Sequence, residues 1–256
     1  MGLQGKTAVV TGSGRNIGEA IAKTLAQKGV NIVVNVRGSV ADGERVTEEI
    51  RAMGVDAMLA VADVTDSAQV QKMADRVFDR FGGVDILVNN VGIAPMCRLQ
   101  ETTDEFWDFV LRTSLTSAFY CTRAFVGSMV EQRWGRIINI GGQSGIRGTK
   151  FKSANAAAKH GIIGFTRSVS NEFAEFGITC NHVGPGHLEK SHEVVYYENH
   201  IDDLNPTFRK DQLAKVPVGR YGTAEEVAAT AAFLISDEAA YITGQTILLN
   251  GGVLFV

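Results

Sequence analysis

Residues Lys6 to Gly18 constrain this chain more than any other stretch. Ala8 to Val10 is an apolar run that reads as a buried parallel strand. It breaks at Thr11 into Gly12, Ser13 and Gly14, and a helical pattern follows at once, with Ile17, Ile21 and Leu25 at i, i+4 and i+8. Gly29 supplies the stop. Strand, glycine turn and helix in direct succession make a seat for a dinucleotide pyrophosphate. Glycine has no Cβ, so the backbone comes close, and the helix N-terminus offers unpaired N–H groups and positive dipole. A glycine-rich turn by itself is weak evidence; the flanking strand and helix raise it.

The alternation continues to the end of the chain. Strands are expected at 31–36, 57–61, 85–88, 136–140, 178–183 and 246–249, and helices at 44–53, 70–81, 104–133 and 154–176. A last helix starts at a Thr223 cap, with Glu226 completing a capping box, and runs to Ile235. The reading is an α/β fold: a single Rossmann-like domain with a doubly wound parallel sheet of about seven strands and helices on both faces. Ligands then sit at the carboxyl ends of the strands. The stretch from about 187 to 216 breaks the rhythm, lies after a strand end, and reads as a lid or substrate loop.

A chain of 256 residues, 45% hydrophobic and 21% charged, suits a soluble globular fold. A net charge of −3 gives no support for nucleic-acid or anionic-membrane binding. No apolar run approaches the roughly 20 residues of a membrane helix, and the N-terminus has no signal-peptide core. The three cysteines, Cys97, Cys121 and Cys180, are scattered and odd in number, which points to reduced thiols and a cytoplasmic setting. No Cys/His metal pattern is visible, so no metal is expected.

Several motifs in order resemble the short-chain dehydrogenase/reductase family over nearly the whole chain. Thr11-Gly12-Ser13-Gly14-Arg15-Asn16-Ile17-Gly18 is similar to the family's glycine turn, with Asn16 in place of the middle glycine. Asn89-Asn90-Val91-Gly92 is similar to its NNAG motif, and Gly184-Pro185-Gly186 to its PG turn. Tyr241 to Gln245 and Asn250-Gly251-Gly252 resemble its C-terminal signature. The resemblance implies a nicotinamide cofactor held by the glycine turn, by Asn90 and Gly92, by Lys159, and by Pro185 and Gly186. It places the adenine beside Asp63 and Val64. The position that carries an acid in NAD-preferring relatives is Val36 here, followed by Arg37, with Arg15 in the turn. Two cations and no carboxylate favour NADP(H) over NAD(H), unless Arg37 is only a solvated loop residue. The resemblance also implies a homodimer or homotetramer, with the helices near 104–133 and 154–176 as one interface and the apolar Val253 to Val256 tail as another.

The chain departs from the family pattern where the chemistry should be. The family uses a tyrosine four residues before a lysine, a serine and a relay asparagine. Lys159 is present, but four residues earlier stands Asn155; the serine position is Gly142, the relay position is Ser114, and Lys190 replaces a nicotinamide-contacting threonine. An asparagine amide cannot donate a proton as a phenol does, though it can polarise a carbonyl. Lys159, without its usual neighbour, either keeps only a ribose contact or becomes a base if desolvated.

Candidate replacements are Ser144, which either orients a substrate oxygen or bonds backbone, and His187, which is either an acid/base beside the nicotinamide or a polar lid residue. Ser153 reads as an N-cap, His182 as a satisfied core histidine, and His160 points away from Lys159. His192, Tyr196, Tyr197 and His200 belong to the irregular stretch. Three functions stay open: an NADP(H)-dependent oxidoreductase on a small carbonyl or hydroxyl substrate with a rebuilt proton donor, a non-redox lyase, isomerase or dehalogenase on the same scaffold, and a catalytically silent nucleotide-binding or sensor protein. Fold alone does not choose among them.

Overall fold

The computed structural model describes residues 2–189 and 213–255. Seven parallel strands form one sheet in the order β3-β2-β1-β4-β5-β6-β7. They are β1 (Thr7–Val10), β2 (Asn31–Val36), β3 (Ala57–Val61), β4 (Ile86–Asn89), β5 (Gly135–Ile140), β6 (Ile178–Pro185) and β7 (Thr246–Leu249). The strand order reverses between β1 and β4, and the crevice at that reversal is where such sheets bind ligands.

Side-chain alternation along the strands splits the core into two layers. Ala8 and Val10 face one way, with Ile32, Val34, Ile86 and Val88, and pack under α1 (Asn16–Ala26) and α2 (Val40–Arg51). Val9, Val33, Leu87 and Ile137 face the other way, under α3 (Ser67–Phe81). The region expected as one helix over 104–133 is α4 (Asp104–Leu111), a wider π-type turn (Arg112–Thr116) and α5 (Ser117–Gln132). Then come α6 (Ser153–Phe173) and α7 (Ala224–Leu234). Phe125 and Met129 of α5 and Val169 of α6 join α3's layer, while Val227, Ala228 and Ala231 of α7 join that of α1.

The local signals act as expected at most boundaries. Asp66 caps α3, accepting from Ala68 N and Gln69 N, and Gly82 ends it at φ 74°. Thr223 and Glu226 form the anticipated capping box on α7. Two helices begin earlier than expected: α2 at Val40 rather than 44, and α3 at Ser67 rather than 70. The apolar period marks only the buried turns, so polar first turns escape it. Ser153 is not an N-cap; Lys152 holds that position and offers α6 no side-chain acceptor.

Candidate active site

The glycine turn is built by cross-strand bonds. Thr11 N donates to Val88 O (3.0 Å) and Ser13 N to Asn35 O (2.9 Å). Gly12 N donates to Asn35 Oδ1 (3.2 Å). Asn90 closes the turn from β4's end, its Nδ2 donating to Thr11 O (2.9 Å) and Gly12 O (3.2 Å). A Cβ on Gly18 would overlap the Gly12 carbonyl oxygen, and one on Gly14 would sit 2.8 Å from Val36 Cγ1. Asn16 stands at φ 53°. That is the left-handed region, which asparagine enters more readily than other side chains, so the loss of the family's middle glycine leaves the turn intact. The turn and the start of α1, with Asn16 and Ile17 in the cavity wall, fit a dinucleotide.

At the far end, Arg37 reaches Asp63 (3.6 Å between Nη1 and Oδ2). Asp63 Oδ1 also accepts from Thr65 N (2.9 Å) and Thr65 Oγ1 (2.8 Å). Asp63, at β3's end, where the resemblance places the adenine, thus stands beside Arg37. Arg15 is exposed and Val64 is buried.

The catalytic end is a cavity of about 400 Å³ at the ends of β5 and β6, lined by residues including Lys152, Asn155, Lys159, Gln143, Ser144 and His187. Asn155 and Lys159 are one α6 turn apart, 2% and 7% exposed. A Cβ on Gly92 would lie 2.8 Å from Lys159 Nζ, so Gly92 makes room for the ammonium. Burial pulls Lys159 down to about 8. Asn155 Oδ1 is buried without a partner among the described residues. Pro185, Gly186 and His187 continue from β6 as one wall. Gly142, at the position of the family's serine, is open: the nearest atom to a Cβ there is Pro185 O at 3.8 Å.

His187 Nε2 lies 3.2 Å from Gln143 Nε2. Burial, and then the charges of Lys152, Arg147 and Lys215, hold its pKa below the ordinary histidine value. Ser144 lies in a short turn after β5 and lines the cavity. Ser114 is a fastener: its hydroxyl accepts from Ile93 N (3.1 Å) and donates to Ile93 O (3.4 Å), pinning the loop after β4.

His182 is in the core, as expected, yet it is not satisfied. Neither ring nitrogen has a partner among the described residues, and burial, then the charges of Lys159 and Arg167, lower it to about 4. His160 is exposed, its Nδ1 2.9 Å from Ala156 O. The candidates Lys190, His192, Tyr196, Tyr197 and His200, and most of the proposed lid, lie outside the described residues. No metal-ligating cluster occurs among the described residues, and none of their helices is long and apolar enough to cross a membrane.

Sequence reasoning missed Gln143 and Lys152. Gln143 directly follows the substituted Gly142, which was the only available signal. Lys152 sits in a polar loop and reaches the site only because α6 starts there.

Residues 12–254 match the family model described as Enoyl-(Acyl carrier protein) reductase. The chain belongs to the short-chain dehydrogenase/reductase family. It is 41% identical to the 3-oxoacyl-(acyl-carrier-protein) reductase FabG of Escherichia coli strain K12 over 260 aligned positions, covering 100% of both chains. It is 40% identical to the protein of that name from Staphylococcus aureus strain Mu50, covering 97% of this chain and 98% of the relative. The Vibrio cholerae protein of that name is 40% identical, with both chains fully covered. Membership of that family accounts for the fold and the glycine turn.

Proposed function

We propose that this protein is an NADP(H)-dependent oxidoreductase that interconverts a small carbonyl compound and its alcohol through a non-standard proton donor, Lys159. The observation that carries the reading is the buried ammonium against Gly92, in the same cavity as the intact glycine turn and one helical turn from Asn155. A bound nicotinamide supplies the hydride chemistry.

The chain's own residues do the rest. Gly12, Gly14 and Gly18 let the backbone approach the pyrophosphate, and Asn90 locks their turn. Arg15 and Arg37 are the cations available to a 2′-phosphate, with Asp63 and Val64 bordering the adenine side. Asn155 presents its amide to the substrate oxygen and polarises it without exchanging a proton. Lys159 gives that oxygen a proton during reduction and recovers one from solvent; in the alcohol direction it accepts one. His187, beside Gln143 and with its pKa held below the ordinary histidine value by burial and neighbouring cations, walls the cavity with Ser144.

Fluorescence titration of the purified protein with NADPH and, separately, NADH tests the cofactor half. Tight NADPH and weak NADH binding supports the reading; failure to bind either overturns it. A second reading, a non-redox enzyme on this scaffold, is favoured by the amide at Asn155, which cannot pass a proton. Substrate conversion with no change in reduced-nicotinamide absorbance would establish that reading. We further propose a cytoplasmic homodimer or homotetramer, in keeping with the exposed Phe119 on α5 and the exposed Phe255 near the C-terminus.

A further inference from the structure

Two amide oxygens in the cavity that holds Lys159 lack a hydrogen-bond donor. Asn155 Oδ1 and Gln143 Oε1 are buried and without a partner among the described residues, and both side chains line the cavity. They come from separate segments, Gln143 from the turn after β5 and Asn155 from the first turn of α6. Asn155 itself is 2% exposed. Gln143 is oriented by His187. With the ring proton on Nδ1, His187 Nε2 accepts from Gln143 Nε2 (3.2 Å), and the amide oxygen is left over. A buried acceptor with no donor carries the full cost of its desolvation, so two of them in one cavity mark a place that a bound molecule completes. A simple ketone does not complete it. Its carbonyl only accepts, from the Lys159 ammonium and the Asn155 N–H, and both amide oxygens stay bare. An acyl chain brings no donor either. A hydroxyl group does.

We infer that the substrate of this site is a hydroxylated carbonyl compound of the polyol class, with one hydroxyl beside the reacting carbon donating to Asn155 Oδ1 and a second donating to Gln143 Oε1. The inference rests on the oxidoreductase reading and supplies its substrate class. In reduction the carbonyl carbon gains the hydride that the reduced nicotinamide gives up. The carbonyl oxygen gains the proton from Lys159. The neighbouring hydroxyls keep their bonds, so the product is a vicinal diol, and oxidation runs the same exchange backwards.

The test compares neutral ketones of similar size: dihydroxyacetone, hydroxyacetone, methoxyacetone and butanone. Methoxyacetone keeps the second oxygen of hydroxyacetone and loses its donor. Each is titrated into full-length protein saturated with NADP+, with binding read by ligand-observed NMR. Hydroxyacetone is expected to bind about tenfold more tightly than methoxyacetone or butanone, the scale of one buried acceptor satisfied, and dihydroxyacetone about tenfold more tightly again. Gln143→Leu should remove one of these steps and Asn155→Leu the other. A cooperative urea unfolding transition shows that each variant folds, and the wild-type series stands without them. Equal affinities for hydroxyacetone and methoxyacetone, a preference for butanone, or no binding of any of them to the nucleotide-loaded protein would overturn the inference. So would a hydroxyl preference that survives both substitutions, or tighter binding of the acetoacetyl thioester of N-acetylcysteamine, which would point instead to an acyl thioester substrate. Failure to bind nucleotide would defeat the oxidoreductase reading itself, so the two failures are distinct.

Discussion

Lys159 and Asn155 carry the chemistry in the proposed reaction, and both are buried. With its pKa pulled down to about 8, Lys159 is a proton donor below that value and an acceptor above it. In the ketone-reducing direction, kcat/KM should stay level at lower pH and fall as pH rises through about 8; alcohol oxidation should show the opposite limb. Lys159→Met should abolish the limb, whereas a purely structural lysine would lower activity without moving the profile. The open space at Gly142 permits a sharper experiment. The Cβ of Gly142→Ser meets nothing closer than 3.8 Å, and Asn155→Tyr would place a phenol one helical turn from Lys159. The double variant should raise turnover of simple neutral ketones by about 100-fold or more, the usual contribution of a positioned acid. No gain would show that the site was rebuilt for different chemistry.

At the scale of elements, the turn between β1 and α1 has no slack. A Cβ at Gly18 meets the Gly12 carbonyl and comes within 2.7 Å of Asn90 Nδ2. Gly18→Ala should therefore weaken NADPH binding at least tenfold and cost about 1–3 kcal/mol of stability through overpacking, measured by fluorescence titration and denaturant unfolding. Thr223→Ala is the control. It removes the cap of α7 and should cost about 1 kcal/mol while leaving nucleotide affinity unchanged. The glycine turn was legible because its signal is local: steric freedom at fixed positions between a strand and a helix. The early starts of α2 and α3 were not, since a solvent-facing first turn leaves no apolar period.

For the whole molecule, burying Lys159 costs stability in a definite pH window. The unfolded lysine titrates near 10.5 and the folded one near 8. Below about 8 both states are protonated and the cost is fully present. Between those values only the unfolded chain holds the proton, so stability rises with pH. The gain is about 3 kcal/mol at 1.36 kcal/mol per pH unit. It should appear as the difference between wild type and Lys159→Met in urea unfolding across that range.

The sequence alone determined the strand–helix alternation, the parallel sheet, the glycine seat and the family, because strand and helix periods and backbone freedom are written in neighbouring residues. It also put Asn155 and Gly142 where the resemblance implies a tyrosine and a serine, since flanking motifs set the register. Tertiary structure alone decided which side chains converge. Gln143 meets His187 from another strand end, and Asp63 turns to Arg37. It also decided that Lys159 is dry enough to change its proton affinity. Convergence and desolvation depend on how distant segments pack around a point, and that arrangement exists only once the sheet and its helices have closed.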